Sequence, residues 1–364
     1  MVIEIDQDKL EFDESYEEAK KIKETYFGVN MDKFIKFFEE GNYTIPTETI
    51  PLQLSEARAL LHLCKQHHKK QPLLKEEDLH SISQLKQKID KVMQEFKQRL
   101  ELLDTNGFIV KLTSRSAKDI TPTHERTMKI YSELIEHDTN EIGTMKSEEN
   151  ADEKIREFKR NDHLCALYFA SLQCMRVFNA KEALDLLSQS SRIEYDLSLD
   201  LTFEEDFSLG IIVRPWDVEM RLSSEFRGII FQNELKALSQ YFTQCYLEPV
   251  VREQSKIEQA CRKFFQEVAK PILSKELPEM ENYIIDFSVS KDGNYVKLLE
   301  MNPYLTTTGV GLFDWDTDRE TIFENPNPNS FEFRVLKEPI ISSQLLNKNK
   351  LVKEWEEILK SVEK

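Results

Sequence analysis

Glycine is scarce, with nine in 364 residues, and none is arranged as G-x-x-x-x-G-K-[ST] or G-x-G-x-x-G. Phosphate loops of the Walker and Rossmann kinds need glycine for close backbone approach, so both are excluded. Cysteine is sparse too. The five present (Cys64, Cys165, Cys174, Cys245, Cys261) are odd in number and include no C-x-x-C pair. That argues against a thiolate zinc site and for reduced thiols in a cytosolic or nuclear protein. No apolar run approaches the roughly 20 residues that span a bilayer, and the N-terminal MVIEIDQDKLEFDESYEEAKK is acidic with no signal-peptide core. A cytoplasmic location is expected. Positive charge is in deficit: 49 Lys and Arg against 66 Asp and Glu leave a net charge of −17. Phosphate backbones and anionic membranes are gripped by clustered Lys and Arg, so neither nucleic acid nor membrane is an expected partner. What remains is ample: 40% hydrophobic residues can build a real core, in one large domain or about two ordinary ones.

The first hundred residues read as helical. Residues 15–39 carry Tyr26, Phe27, Phe34, Ile35, Phe37 and Phe38 on apolar faces. Residues 44–51 (TIPTETIP) form an extended link, because a residue before proline is pushed out of the α region. Ser55 is placed to cap a helix running to Cys64. Residues 82–103 repeat Leu85, Ile89, Val92, Met93, Phe96 and Leu100 at helical spacing. Phe108-Ile-Val-Lys-Leu112 reads as a short strand followed by a polar loop, 113–119. Residues 123–187 return to helix, with a polar loop expected at 139–152. Three strands follow at 209–216, 225–232 and 235–241, with Asn233-Glu234 as the turn between the last two. A helix is expected over 251–273, ending near Pro271 and Pro278. A second hairpin pairs 283–290 with 295–302 around Asp292-Gly293. An amphipathic helix at 348–364 carries Leu351, Trp355 and Leu359. The class is α+β, with antiparallel hairpins backed by helices.

The second hairpin carries the chemistry. Alternate residues of a strand share a face, so Glu300 and Asn302 project together. A three-residue turn, or a bulge, sets Asp286 opposite Glu300. Two carboxylates and an amide oxygen then converge, a donor set suited to Mg²⁺ that fills its shell with phosphate and water. A solvated strand face, with Asn302-Pro303 merely ending the strand, is the alternative. The apolar flanks Ile284, Ile285, Phe287, Leu298, Leu299 and Met301 weigh against it, and spacing alone leaves both open. Three cations sit in other apolar strands: Lys111, Arg214 and Arg227. An unpaired buried charge is costly, so each needs an ion pair, with Glu225, Asp217 or Glu219, or a joint task on polyphosphate oxygens beside Mg²⁺. His67-His68 is expected on solvated helix surface, and His163, Cys165 and Cys174 in packing. No nucleophile elbow is present.

These residues match a known pattern. Phe108–Leu112 with Ser116-Ala-Lys-Asp119 resembles the first signature of the cell division cycle protein 123 family. Ile212-Val-Arg-Pro-Trp216, Glu225-Phe-Arg227 and Ala237-Leu-Ser-Gln240 resemble its central strands. Asp286-Phe287, Leu299-Glu-Met-Asn-Pro303 and Leu312-Phe-Asp-Trp315 resemble its last signature. The resemblance implies an ATP-grasp fold, two α+β lobes clasping a nucleotide. The segments expected are a helical region at 1–104, an N-lobe with lid loop and helical insertion at 105–205, a C-lobe with the metal site at 206–340, and a C-terminal helix at 341–364. It implies that Lys111, Ser116, Ala117, Lys118, Asp119, Arg214, Trp216, Arg227 and Gln240 contact ATP, and that Asp286, Glu300 and Asn302 hold Mg²⁺. The chain departs from the better-known members in reading Tyr241-Phe242 where they have Arg-Asp, and Glu300 where they have Asp. The implied role is an assembly chaperone of translation initiation factor 2, capturing its gamma subunit. The alternative is an ATP-dependent carboxylate–amine ligase or a kinase acting on a protein or peptide. No general base or acceptor pocket is legible, so no catalytic residue is assigned.

Overall fold

The computed structural model describes residues 16–69, 73–102, 106–138, 151–340 and 351–362. The first sheet joins β1 (Glu48–Pro51), β2 (Phe108–Leu112), β3 (Arg176–Val177) and β4 (Gly210–Pro215) in the order β1-β4-β2-β3, all antiparallel. The proline-punctuated link therefore contributes an edge strand, a position that tolerates proline because one side of the backbone needs no partner. The central β4 is buried at every position. Its Ile211 and Val213 pack with Phe108 and Leu112 against the helices Leu54–His67, Glu76–Arg99, Ala180–Gln189 and Ser191–Leu201.

The second sheet joins β5 (Glu225–Phe231), β6 (Glu234–Gln240), β7 (Tyr283–Val289), β8 (Val296–Pro303) and β9 (Glu332–Arg334) in the order β8-β7-β5-β6-β9. Only the β6–β9 pair is parallel. The turn between β5 and β6 lies one residue earlier than expected. Phe231 faces Glu234, and Gln232 and Asn233 both take left-handed backbone (φ 51° and 59°). That conformation matches the twist of a tight hairpin. The side chain of Asn282 and the carbonyl of Glu281 accept the two turn N–H groups, which holds the non-glycine residues there. One face of this sheet (Phe226, Leu238, Ile285, Phe287) packs on a long helical stretch in the largest core.

That helical stretch runs further than expected. It comprises Glu248–Arg252, Gln254–Phe264, a π-turn at Phe265–Ala269 and Lys270–Glu276. It passes Pro271, as the expected span to 273 already required, and stops two residues before Pro278. The wide turn just before Pro271 removes the contact that its ring and missing N–H would spoil in a regular helix. The cap of Leu54–His67 also differs: Gln53 is the N-cap, its backbone N–H donating to Glu56 at 3.0 Å, and Ser55 lies inside the helix. The helix predicted from 82 starts at Glu76, where three acidic residues occupy the first turn and favour its positive end.

The expected loop at 139–152 lies mostly outside the described residues, as do 348–350 and 363–364 of the C-terminal helix. Within Lys353–Val362, Trp355 and Leu359 are buried. The Trp355 indole donates to the Pro122 carbonyl at 2.9 Å and meets Tyr168 edge-on, so this amphipathic face docks on the body. Among the described residues no helix is long and apolar enough to cross a membrane.

Candidate functional site

The second sheet bears a polar row on the face opposite its main core. Reading across β8-β7-β5-β6-β9, directly opposed residues are Glu300, Asp286, Arg227, Ser239 and Arg334, one from each strand. Opposed residues share a face and lie about 5 Å apart. The pairing of Asp286 with Glu300 comes from a longer loop, 291–294, offset by a bulge that leaves Leu299 as the extra residue on β8. Ser239 carries the following loop: it accepts the Leu312 N–H at 2.9 Å. At Gly311 (φ +71°) any Cβ would lie 2.3 Å from the Ser239 hydroxyl, so only glycine fits.

β2 faces this row across the gap between the sheets. Lys111 donates to Glu300 at 2.7 Å. Arg227 forms a two-pronged bond to Asp286, both contacts 2.8 Å, and a third bond to the Gly309 carbonyl. Asn302 donates to Asp286 at 3.1 Å. Lys118 donates to the Tyr241 hydroxyl at 2.8 Å and lies 3.8 Å from Glu300 and 4.0 Å from Glu225. Three cations thus meet three carboxylates. Burial would push Glu300 upward, but Lys111, Lys118 and Arg227 more than reverse this and hold it below the usual carboxylate range. Arg227 is raised: burial alone would lower it, and Asp286 outweighs that.

Glu225 behaves differently. Burial pushes it up to about 7, the pull of Lys118 being offset by Asp286 and Glu300. An acid raised in the folded state keeps its proton longer there than in the unfolded chain. The stability it contributes is present below its unfolded value of 4.5 and lost as pH climbs through about 7. Glu225→Gln is expected to flatten that decline by an amount on the order of 3 kcal/mol between pH 4.5 and 8. Urea midpoints across this range test it; an unchanged slope would remove Glu225 as a buried titrating group.

Two adjoining spaces open on this network. A polar cleft of about 300 Å³ is lined by Ser116, Lys118, Arg227, Glu300 and Asn302, together with Tyr26, Arg115, Arg192 and Thr307. A more apolar chamber of about 260 Å³ is walled by Tyr168, Leu172, Met175, Phe242 and Trp355, with Glu225 at its edge. Lys118 and Tyr241 line both. Asp286 is fully buried beneath the cleft, and Lys111 is nearly so.

Other predicted site residues lie elsewhere. Arg214 does not line the cleft. Its guanidinium donates to the Leu299 carbonyl (2.9 Å), the Thr44 hydroxyl (2.7 Å) and the Ile45 carbonyl (3.3 Å), clamping β8 to the first sheet from behind. Burial lowers it to about 10, partly countered by Glu300 and Glu39. Trp216 is buried in the main core beside Arg176. Gln240 is saturated by the carbonyls of Phe242 and Cys245 and by the Leu336 N–H. Ala117 packs in the second core, and Asp119 accepts from Ser190, Ser191 and the Arg192 N–H at a helix start. None of the three cations pairs with Asp217 or Glu219; Asp217 takes Lys297 instead. His68 is not merely solvated surface, since one ring nitrogen meets Glu194 and the other the Gln189 carbonyl. His163 meets the Tyr131 hydroxyl at 2.7 Å.

The donor set allows a test for Mg²⁺. Among the described residues no three or more His, Cys, Asp or Glu side chains gather as a metal cluster. Two carboxylates and an amide beside a cation-lined cleft are nonetheless the set that Mg²⁺ takes when phosphate supplies its other ligands. The residues fit.

Two sheets facing each other across a charged cleft, with helices behind, define an α+β protein of the ATP-grasp-like class. The same fold occurs in solved structures of Cdc123 from Schizosaccharomyces pombe. The full structure superposes with a TM-score of 0.54 at 15% identity, covering 86% of this chain and 97% of that one. A C-terminally truncated form gives 0.54 at 16% identity, covering 86% and 98%. A family model described as D123 matches residues 165–357, and the chain belongs to that family. A "Translation initiation factor eIF2 assembly protein" of Vanderwaltozyma polyspora is 26% identical over 181 residues, 45% of this chain and 45% of that protein. The match thus spans less than half of that relative's length.

Proposed function

We propose that this protein binds Mg²⁺·ATP in the cleft between its sheets and acts as an assembly factor for translation initiation factor 2, with the gamma subunit as the captured partner. The observation that carries the nucleotide reading is the closed charge network of Lys111, Lys118 and Arg227 with Glu225, Asp286 and Glu300, next to an aromatic chamber. Without ligand each buried charge has an opposite neighbour, which avoids the penalty of an isolated ion. Asp286, Glu300 and Asn302 would hold Mg²⁺, freeing the cations for phosphate oxygens. The metal's contribution is neutralisation of phosphate charge. The chamber walled by Tyr168, Phe242 and Trp355 suits a flat base, since π-faces stack on aromatic side chains.

The assembly reading is supported by family membership and by the likeness to the initiation factor eIF2 assembly protein of Vanderwaltozyma polyspora. The net charge of −17 favours association with a basic surface by steering. Purified protein mixed with the gamma subunit of the same cells' initiation factor should form a complex that survives gel filtration in Mg²⁺ and ATP, with no ADP released. Failure to form that complex would overturn the assembly role, and ADP release scaling with an added amine or protein would favour a ligase or kinase.

A further inference from the structure

Two arginines in the polar cleft remain outside the network described above. Arg115 precedes Ser116 in the loop after β2. Its Nε donates to Asp196 at 2.8 Å, and the Ser114 hydroxyl donates to the same carboxylate oxygen. Asp196 is fully buried, so this bond fixes the guanidinium plane. Its flat side lies 5.5 Å from the Tyr26 ring, and its terminal nitrogens have no partner among the described residues. Arg192, at the start of the helix Ser191–Leu201, lines the cleft with no ion pair to any described residue. Neither arginine lines the apolar chamber. They share their end of the cleft with the hydroxyls of Tyr26 and Thr307, which meet at 3.0 Å and join the N-terminal helix Tyr16–Phe27 to the loop after β8.

Charge bookkeeping separates this end from the rest. Lys111, Lys118 and Arg227 are matched by Glu225, Asp286 and Glu300, and Arg115 has Asp196 on one edge only. Arg192 adds positive charge with no counter-ion among the described residues. With a base in the apolar chamber, a phosphate chain would pass Lys118 and Tyr241, which line both spaces, and enter the cleft that these arginines line. A guanidinium offers a planar fork that binds phosphate oxygens in pairs.

We propose that Arg115 and Arg192 form a subsite for the terminal phosphoryl group of a nucleoside triphosphate, and so set the preference for ATP over ADP. The proposal rests on the nucleotide reading of the cleft. The third phosphate adds about one net charge at neutral pH, and these two side chains meet it. They position the ligand without being required for the base or the first two phosphates.

The test is calorimetric titration of the full chain with ATP and with ADP, each with excess Mg²⁺. Wild type is expected to bind ATP at least tenfold more tightly than ADP. Arg192→Ala, an exposed substitution, should bring the two affinities within about threefold by weakening ATP alone. Arg115→Lys keeps a charge near Asp196 but loses the fork, and should also narrow the ratio. A merely structural role would weaken both nucleotides together. Variants that lower both affinities equally, or leave the ratio intact, overturn the subsite while sparing the nucleotide reading. A wild type that binds neither nucleotide overturns both.

Discussion

Asp286→Asn and Glu300→Gln are each expected to weaken Mg²⁺-dependent ATP binding by about 100-fold or more, roughly 2.7 kcal/mol; Glu300→Gln should leave the melting temperature little changed, and Asp286→Asn should lower it, though by less than alanine does. The amides keep the shape of the acids and one acceptor oxygen, so Lys111 retains its partner oxygen and Arg227 retains one of its two prongs. What the amides lack is the charge that holds a hard cation. Alanine is a poorer test. Asp286 is fully buried and takes both prongs of Arg227, so Asp286→Ala strands a guanidinium in the interior, a loss of the order of 3–5 kcal/mol in stability. Titration calorimetry with ATP, alongside a thermal melt, separates the two effects. Undiminished affinity in both amide variants would remove the pair from the binding site.

Arg214→Ala is expected to lower stability by about 3 kcal/mol, seen as a lower urea midpoint with an unchanged slope. Arg214 joins the first sheet to the back of β8 through the Leu299 and Ile45 carbonyls and the Thr44 hydroxyl. Removing it takes the guanidinium donor from all three, although the Thr44 hydroxyl keeps its bond to the Leu298 carbonyl and the Ile45 carbonyl keeps the Thr47 hydroxyl. Arg214→Lys should rescue little, because one ammonium cannot reproduce a planar fork reaching three acceptors. The clamp also sets where Glu300, the residue after Leu299, meets Lys111. Nucleotide affinity in Arg214→Ala should therefore fall as well. Wild-type stability in Arg214→Ala would show that the clamp is dispensable.

These expectations show what the chain made legible. Alternation along β7 and β8 was enough to set Asp286 opposite Glu300, because a strand has a period of two and only a bulge or a three-residue turn supports that register. β2 was legible from Phe108 to Leu112, and the cations in apolar strands signalled that something must meet them. Sequence alone could not tell which partner each would take. Arg214 satisfies its charge on backbone carbonyls, which carry no side-chain signature, and so it reads like Lys111 and Arg227 while lying behind the site. Gln240 and Asp119 are similar: polar residues in a recognisable motif, consumed by bracing loops and starting a helix. Tyr26, Arg192 and Thr307 come from segments far apart in the chain, and nothing local marked them. Arg115 was adjacent to Ser116, but nothing in its immediate sequence set it apart. The helix through Pro271 was legible to within three residues at each end; its π-turn was not, because a π-turn has no pattern of its own.

The most direct test of the central claim is titration of the unmodified chain with ATP, once in excess Mg²⁺ and once in EDTA. A one-to-one complex in Mg²⁺ that weakens by at least tenfold in EDTA is the result expected if paired acids and facing cations between the two sheets grip a metal-bound triphosphate. Equal affinity in both conditions, or no heat of binding in either, would contradict it.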